Sequence, residues 1–208
     1  MSPIPFLAAG AGYLLGALPF AYLVARAKGV DIFKVGSGNA GATNVLRVMG
    51  PGPGGLVFFL DGAKGALAAG WPLLPVAEGG ETSSLCGLVG AILGHSFSCF
   101  TGFRGGKSVA TAAGGFAVLF PVGAAGALGV FAVTLALFRY VALSSMLGAV
   151  ALAVSSVVLG RSGLVIGVSC GAAGFVILRH RANISRLLAG TEARIGRKPS
   201  PPSASSSA

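Results

Sequence analysis

Long stretches without any Asp, Glu, Lys or Arg constrain this chain more than any other feature. The hydrocarbon core of a bilayer is crossed by a helix of roughly 20 apolar residues, and each stretch reaches or approaches that length. Only 10% of the residues are charged, against about 25% in soluble domains. The sequence therefore predicts one all-α, polytopic membrane domain. The uncharged stretches are Pro3–Ala25, Thr82–Phe103, Ser108–Phe138, Tyr140–Gly160 and Ser162–Leu178.

The net charge of +10 does not indicate a nucleic-acid partner in a chain of this kind. The basic residues lie between apolar stretches, where membrane topology and anionic lipid account for them. The cysteines Cys86, Cys99 and Cys170 are scattered and lack the spacing of metal ligands. We therefore expect a lipid bilayer as the surroundings, no nucleic acid, no metal and no cofactor.

Basic loops set the expected topology. Pro3–Val24 is predicted to stay as the first span, because no positive segment of a cleaved signal peptide precedes it. The next loop carries Arg26, Lys28 and Lys34, which places it in the cytoplasm and the N-terminus outside. A second span runs from about Gly52 to Leu74, and a third covers Leu85–Phe100.

The stretch Ser108–Phe138 decides the number of spans. As one helix it would be about 46 Å long, well beyond a hydrocarbon core of about 30 Å. Two spans broken near Pro121 put every basic residue except Lys64 and Arg161 in the cytoplasm. The sequence thus predicts seven transmembrane helices and a cytoplasmic C-terminus. Residues 1–193 would form the membrane domain, and 194–208 a basic, then Ser/Pro-rich disordered tail.

Glycine is abundant, with 35 residues, and several glycines recur near helical spacing. Small residues let transmembrane helices approach closely, so we predict packing roles rather than catalytic ones. The predicted packing glycines are Gly10, Gly12, Gly16, Gly163, Gly167, Gly171 and Gly174.

The first polar cluster follows span 1 and extends from Gly36 to Arg47. Alternating glycines let backbone N–H groups turn toward one anion. An arginine can bind two oxygens of one phosphate at once. Thr43 and Arg47 are four residues apart, so a helix here places them on one face. An anion site is favoured over a plain loop. Its candidate residues are Ser37, Gly38, Asn39, Thr43, Asn44 and Arg47.

The second cluster joins spans 3 and 4. Gly105, Gly106 and Lys107 open a span with free N–H groups, a positive helix end and an ammonium, a combination that favours phosphate. The spacing is not that of a Walker loop. His95, at the inner end of span 3, could be an acid, a base or a hydrogen-bonding core residue. Thr111 is a further binding candidate.

Three smaller groups complete the polar set. Ser144 and Ser145 either cap span 6 or bind a phosphate head. His180 and Asn183, three residues apart after span 7, share a helix face, and Glu192 follows. Asp61 and Lys64 lie inside span 2, where they form a supporting ion pair or contact substrate. A solvated basic end is expected for Arg194, Arg197 and Lys198.

These clusters resemble the PlsY family, the bacterial membrane acyl-phosphate:glycerol-3-phosphate acyltransferases. The resemblance covers roughly residues 5–193. Ser108 departs from it, because Gly is common there, and so do Ser98 and Cys99, which replace a common Pro-Val pair. The matching motifs, in order, are Gly36–Arg47, Asp61-x-x-Lys64-Gly65, His95-x-Phe97, Gly105-Gly106-Lys107-x-Val109-Ala110-Thr111, Arg139-Tyr140, Ser144-Ser145, His180-Arg181-x-Asn183-Ile184 and Gly190-x-Glu192.

The resemblance implies a seven-span enzyme of the cytoplasmic (inner) membrane, with its site facing the cytoplasm. It implies acyl-phosphate and glycerol 3-phosphate as substrates, acylation at sn-1, lysophosphatidic acid and phosphate as products, and a soluble acyl-phosphate synthase as supplier. By matching positions, Ser37, Arg47 and Lys107 serve glycerol 3-phosphate. The acyl-phosphate side takes Thr43, Ser144, Ser145, His180 and Asn183, and Glu192 orients cationic partners.

Two other functions fit the sequence less well. The glycerol-phosphate acyltransferases that use a His-x4-Asp pair are excluded, because Phe100 and Ser185 stand at that spacing after His95 and His180. With no carboxylate–His base apparent, we predict that the donor phosphate accepts the hydroxyl proton. A transporter for an organic phosphate is disfavoured, because the sequence has no visible inverted repeat and only Asp61 and Lys64 lie within a span.

Overall fold

The computed structural model describes residues 2–74 and 79–196. Within those ranges the regular structure is entirely helical, with short 3-10 turns at Trp71–Leu73 and Cys99–Thr101. The α-helices are α1 (Ile4–Ala17), α2 (Phe20–Arg26), α3 (Ala42–Met49), α4 (Pro51–Gly70), α5 (Gly80–Ser96), α6 (Val109–Leu119), α7 (Pro121–Phe138), α8 (Val141–Val158), α9 (Gly163–Arg179) and α10 (Arg181–Leu188).

The surface of this bundle suits lipid rather than water. Across the described residues, four helical segments are long and apolar enough to cross a membrane, and a bent α9–α10 pair raises the number to five. Large apolar side chains point outward along the bundle, among them Phe59, Leu137 and Val158, which are 70 to 75% exposed. The four segments are Ile4–Arg26, Gly80–Thr101, Pro121–Phe138 and Val141–Val158.

The long uncharged stretch forms two helices rather than one. Helix α6 ends at Leu119 after 11 residues, and α7 begins at Pro121. Proline has no N–H and a fixed φ, so it is favourable at the first helical position and disruptive in the middle. The chain therefore breaks at Phe120, next to the predicted proline.

Close contacts fix the relative directions of the helices. Gly12 lies against Gly87 and Gly16 against Ala91, so α1 and α5 run parallel. Gly87 also lies against Ala68, while Asp61 near the middle of α4 reaches His95 at the end of α5, so these two helices are antiparallel.

The remaining helices continue the alternation. Gly62 and Gly70 of α4 lie near Ala110 and Val118 of α6, so α4 and α6 run parallel. Short turns then reverse the chain between α6, α7, α8 and α9. The paired hydroxyls of Ser156 and Ser169, 2.7 Å apart, join the facing helices α8 and α9.

The predicted packing glycines divide into two groups. A Cβ at Gly12 or Gly16 would overlap the backbone of α5, so these glycines permit the α1–α5 contact. The packing prediction is wrong for the others, because a Cβ there would meet no atom within 4 Å among the described residues. Helical spacing identifies a stripe of glycines, but not whether a neighbour faces it. The glycines without a facing neighbour are Gly10, Gly163, Gly167, Gly171 and Gly174.

The polar connections gather at one end of the bundle. Arg47 of α3 contacts Ala193, Lys107 of the α5–α6 loop contacts Asn183, and Ile195 contacts the α7–α8 turn. The opposite end holds the Ser162–Glu81 hydrogen bond of 2.5 Å between the starts of α9 and α5. The end with the polar connections therefore positions the candidate site.

Candidate active site

The loop before α3 is held in shape by Asn44. Its side-chain oxygen accepts a hydrogen bond from the Ser37 N–H at 2.8 Å, and its amide donates to the carbonyls of Ile32 and Val35 at 3.2 and 3.1 Å. Asn44 is 2% exposed. These three hydrogen bonds let Asn44 hold the loop in shape. They also fix the backbone of Ser37, which is exposed.

Arg47, one helical turn after Thr43, belongs to a charged network. Its guanidinium lies 3.6 Å from Glu192 and donates to the carbonyl of Ala193 at 3.3 Å. Glu192 also accepts from Arg186 Nε at 2.7 Å and from Asn183 Nδ2 at 2.8 Å. Burial raises the pKa of Glu192, but the hydrogen bonds from Arg186 and Asn183 outweigh this and lower it. The carboxylate is therefore ionised, and it orients both arginines.

Lys107 approaches the same network from the α5–α6 loop. Its ammonium donates to Asn183 Oδ1, so Asn183 links Lys107 to Glu192. Burial lowers the pKa of Lys107 to about 8, with repulsion from Arg186, Arg47 and Arg179 adding to the effect and Glu192 opposing it. An ammonium surrounded by arginines and one carboxylate leaves net positive charge for an anion.

The two glycines before Lys107 fit a tight space against the end of α5. The Gly106 N–H donates to the His95 carbonyl at 3.0 Å, and the Gly106 carbonyl accepts from Arg179 at 2.8 Å. A Cβ on Gly106 would overlap His95 Nε2, and one on Gly105 would overlap the His95 carbonyl oxygen. Only glycine lets the loop pass this close to His95. The path of the loop in turn fixes the backbone position of Lys107, the next residue.

A buried charged chain lies beneath that loop. Lys64 Nζ is 2.9 Å from Asp61 Oδ1 and donates to the Leu18 carbonyl at 2.9 Å. The same Asp61 oxygen lies 3.5 Å from His95 Nδ1. No carboxylate–His base is apparent in the sequence, but the structure brings Asp61 and His95 together. The two residues are far apart in sequence, and the antiparallel contact of α4 with α5 brings them together.

His180 occupies the turn after α9 and is 3% exposed. Its Nδ1 lies 2.8 Å from the Val176 carbonyl. A carbonyl only accepts, so Nδ1 carries the proton and Nε2 is the acceptor. Burial, followed by the nearby Lys107 charge, lowers the pKa of His180 to about 4. The imidazole is thus neutral at pH 7.

These elements enclose a cavity of about 350 Å³. Its polar side carries the cations Arg47 and Lys107, and its other side is apolar. A second, almost wholly apolar cavity of about 100 Å³ shares Phe58, Val109 and Phe131 with it and continues between α6, α7 and α8. The predicted residues that line the main cavity are Ser37, Asn39, Thr43, Asn44, Arg47, Asp61, His95, Lys107, Ser145 and His180.

Other predicted residues lie beside this cavity rather than in its wall. Asn183 contacts Lys107, Glu192 contacts Arg47, and Lys64 contacts Asp61. Ser144 is fully buried, and its hydroxyl donates to the Tyr140 carbonyl of its own helix at 2.9 Å. The cavity lining also omits Gly38, Gly105, Gly106 and Thr111.

Sequence reasoning missed several residues of the site. Arg186 forms an ion pair with Glu192. In the sequence, Arg186 is one of several basic residues after span 7, and nothing marks it as part of the site. Phe58, Phe131 and Leu135 form the apolar wall, and no local pattern separates them from lipid-facing side chains. Among the described residues, no group of three His, Cys, Asp or Glu could hold a metal ion.

Comparison with known proteins gives a consistent result over most of the chain. A family model described as "Glycerol-3-phosphate acyltransferase" matches residues 6–190. A glycerol-3-phosphate acyltransferase of Trichormus variabilis is 47% identical, with 89% of each chain covered. Glycerol-3-phosphate acyltransferase 1 of Deinococcus radiodurans is 46% identical, covering 89% of this chain and 93% of that one.

Two solved structures share the fold. The crystal structure of PlsY, an integral membrane glycerol 3-phosphate acyltransferase, in its glycerol 3-phosphate form superposes with a TM-score of 0.87 at 36% identity. The superposition covers 92% of this chain and 96% of the PlsY chain. The lysophosphatidic acid form gives a TM-score of 0.84 at the same identity, covering 92% and 95%.

Proposed function

Because this chain belongs to the glycerol-3-phosphate acyltransferase family of PlsY-type integral membrane proteins, we propose that it acylates glycerol 3-phosphate with acyl-phosphate as the donor. The fatty acyl group goes to the sn-1 hydroxyl, giving lysophosphatidic acid and phosphate. This is the first acylation step of phospholipid synthesis.

One observation carries the proposal: a cationic site opens directly into an apolar cavity. Arg47 and Lys107 line the polar part, and Phe58 and Phe131 line both the polar site and its apolar extension. An acyl-phosphate has the same two halves, a dianionic head and a hydrocarbon chain. The shared wall supports one molecule lying across both.

Glycerol 3-phosphate is assigned to the loop before α3 and to the two cations. Ser37 donates through its hydroxyl, while Arg47 and Lys107 neutralise phosphate charge. The Asn183–Glu192 chain keeps both cations aimed at the same space. Gly38, Asn39, Asn44, Gly105 and Gly106 shape the loops around them.

Acyl-phosphate is assigned to the side formed by α8 and the α9–α10 turn. Ser145 and His180 line the cavity there, and Thr43 faces them from α3. Ser144 supports the start of α8 through its bond to Tyr140. The hydrocarbon chain then extends along Phe58, Phe131 and the apolar cavity.

The chemistry needs positioning more than a protein nucleophile. Acyl-phosphate is a mixed anhydride with a good leaving group. The sn-1 oxygen attacks the acyl carbonyl carbon and forms the ester bond. The bond from that carbon to the bridging oxygen breaks, and phosphate leaves with this oxygen and the electron pair of the broken bond. Held cations and donors stabilise the charge that moves to the phosphate, and binding both substrates removes the entropic cost of their meeting.

The donor phosphate is the proposed acceptor of the hydroxyl proton. His180, with a pKa of about 4, is a weak base at neutral pH. His95 pairs with Asp61 beneath the Gly105–Gly106 loop, where Gly106 packs on its Nε2. Its role in the proposal is to support the loop and line the cavity.

Seven membrane crossings and a cytoplasmic site complete the proposal. The crossings are α1 with α2, α4, α5, α6, α7, α8 and α9, whose alternating directions support this count. The cations gathered at the site end support placing it, with the C-terminus, on the cytoplasmic side of the inner membrane. A soluble acyl-phosphate synthase could then deliver the donor directly from the cytoplasm.

Product formation by the purified protein in detergent tests this function. With acyl-phosphate and glycerol 3-phosphate we expect lysophosphatidic acid, and with acyl-CoA negligible product, because the short loops offer no adenine-binding domain. A transporter would form no lysophosphatidic acid in this assay, because it moves its substrate without changing it. Equal rates with both donors would contradict the proposed donor.

The same preparation, incubated with acyl-phosphate alone, tests direct transfer. We expect no acyl adduct on Ser37, Ser144 or Ser145 by intact-protein and peptide mass spectrometry. A stoichiometric adduct on any of them would require a two-step route through an acyl-enzyme.

A further inference from the structure

After α10, the chain turns back across the site. Ala193–Gly196, here called the return segment, connects the charged network to the α7–α8 turn. At one end Arg47 donates to the Ala193 carbonyl at 3.3 Å. At the other end the Ile195 N–H donates to the Arg139 carbonyl at 2.9 Å. The segment therefore bridges α3 and the α7–α8 turn, next to residues of both elements that line the cavity.

Arg194 makes a second contact between the return segment and the α7–α8 turn. Its Nε donates to the Tyr140 hydroxyl at 3.0 Å, and its guanidinium lies 4.9 Å from the centre of the Tyr140 ring. Combined hydrogen bonding and cation–π contact hold the arginine in one place. Arg194 is exposed, as expected for the basic end, and it makes these two contacts at the surface; Arg197 and Lys198 lie outside the described residues. A fixed Arg194 in turn fixes Ile195, its neighbour.

Ile195 is the part of the segment that reaches the cavity. Its side chain lines the main cavity on the side of Leu135 and Val141. The residue is half-buried, while Arg194 and Gly196 on either side are exposed. Ile195 thus adds a half-buried apolar side chain to the cavity wall, in a segment whose neighbouring residues are exposed to solvent.

On the basis of the proposed function, we propose that Ile195 determines the choice of acceptor by excluding water, and that Arg194 and Tyr140 are its positioning residues. An acyl-phosphate is also open to attack by water. The water oxygen would then bond to the acyl carbon, phosphate would leave with the electron pair of the broken bond, and a free fatty acid would form. An apolar residue in the wall of the cavity that holds the donor suppresses this side reaction by keeping water away.

The test measures two products from one reaction: lysophosphatidic acid and free fatty acid. The full-length protein is given acyl-phosphate with saturating glycerol 3-phosphate. We expect Ile195→Ala and Arg194→Ala to raise the ratio of hydrolysis to transfer by about tenfold. Ile195→Val, which keeps a branched apolar side chain, should remain close to the unsubstituted protein. Lys28→Ala removes an exposed cation outside the site and is the matched control for Arg194→Ala.

Tyr140→Phe keeps the aromatic ring and its packing and removes only the hydroxyl. It therefore tests the Arg194–Tyr140 hydrogen bond alone. Its ratio should rise less than that of Arg194→Ala. An unchanged ratio in Ile195→Ala and Arg194→Ala, whether or not total turnover falls, would overturn the inference. Absence of lysophosphatidic acid with the unsubstituted protein would instead overturn the proposed function, so the two failures are distinct.

Discussion

At the scale of single residues, Lys107 makes the site sensitive to pH. Its pKa is about 8, so the ammonium is mostly charged at pH 7 and loses its proton as the pH rises through 8. A neutral amine no longer attracts phosphate. We therefore expect kcat/KM for glycerol 3-phosphate to fall above about pH 8, approaching about tenfold per pH unit. Initial rates across the pH range measure this directly.

Lys107→Arg provides the matched control for that profile. A guanidinium has a pKa above about 12, so the alkaline fall should disappear between about pH 8 and 10 even if overall activity is lower. The acid side of the profile should stay the same in both proteins, because the second ionisation of a phosphate monoester near pH 6 determines it. An identical alkaline fall in the arginine variant would assign the titration to another group.

Ser108 occupies a backbone position that favours glycine. Its φ is 60°, in the left-handed region, where residues with a Cβ are strained. Its hydroxyl compensates by bonding the Ile92 carbonyl at 2.6 Å and the Ser96 hydroxyl at 2.8 Å. The serine therefore keeps the turn that places Lys107 before α6, at the cost of some backbone strain.

At the scale of helices, glycines decide how closely α1 and α5 approach. A Cβ at Gly12 would overlap the Gly87 carbonyl, whereas a Cβ at Gly10 on the same helix meets no described atom within 4 Å. We expect Gly12→Ala to destabilise the protein by about 1–3 kcal/mol, the usual cost of overpacking. Thermal unfolding in detergent would show this as a lower Tm.

Gly10→Ala is the control for this substitution, because it makes the same chemical change on the same helix. Its Tm should stay the same or rise slightly, since alanine is the better helix former. Equal losses of stability in the two variants would mean that helix propensity or lipid contact, rather than the α1–α5 contact, controls the outcome.

At the scale of the whole molecule, the proposed orientation is testable by labelling. Ser2→Cys and Ser200→Cys are introduced separately after Cys86, Cys99 and Cys170 have been replaced. A membrane-impermeant thiol reagent applied to intact cells should label residue 2 and not residue 200. After the inner membrane is opened, both should react.

The basic residues are the physical reason for this expectation, because cytoplasmic loops of membrane proteins carry an excess of Lys and Arg. Labelling of residue 200 in intact cells would contradict the seven-span topology. It would also place the cations of the site on the outer side, away from a cytoplasmic donor.

Sequence alone determined the properties that depend on local composition. Membrane residence follows from uncharged stretches such as Tyr140–Gly160, because each must be long enough to cross the bilayer. The break before α7 follows from Pro121 and from the limited thickness of the hydrocarbon core. The family resemblance, which the comparisons confirm, follows from ordered motifs such as Gly36–Arg47.

Only the tertiary structure decided which side chains meet. The Asp61–His95 pair, the link from Lys107 through Asn183 to Glu192, and the place of Ile195 in the cavity wall all join residues that are distant in sequence. Such contacts depend on how far each helix is rotated and how closely it approaches its neighbours. Those quantities are set by the packing of many small residues at once, and no local pattern of charge or hydrophobicity contains them.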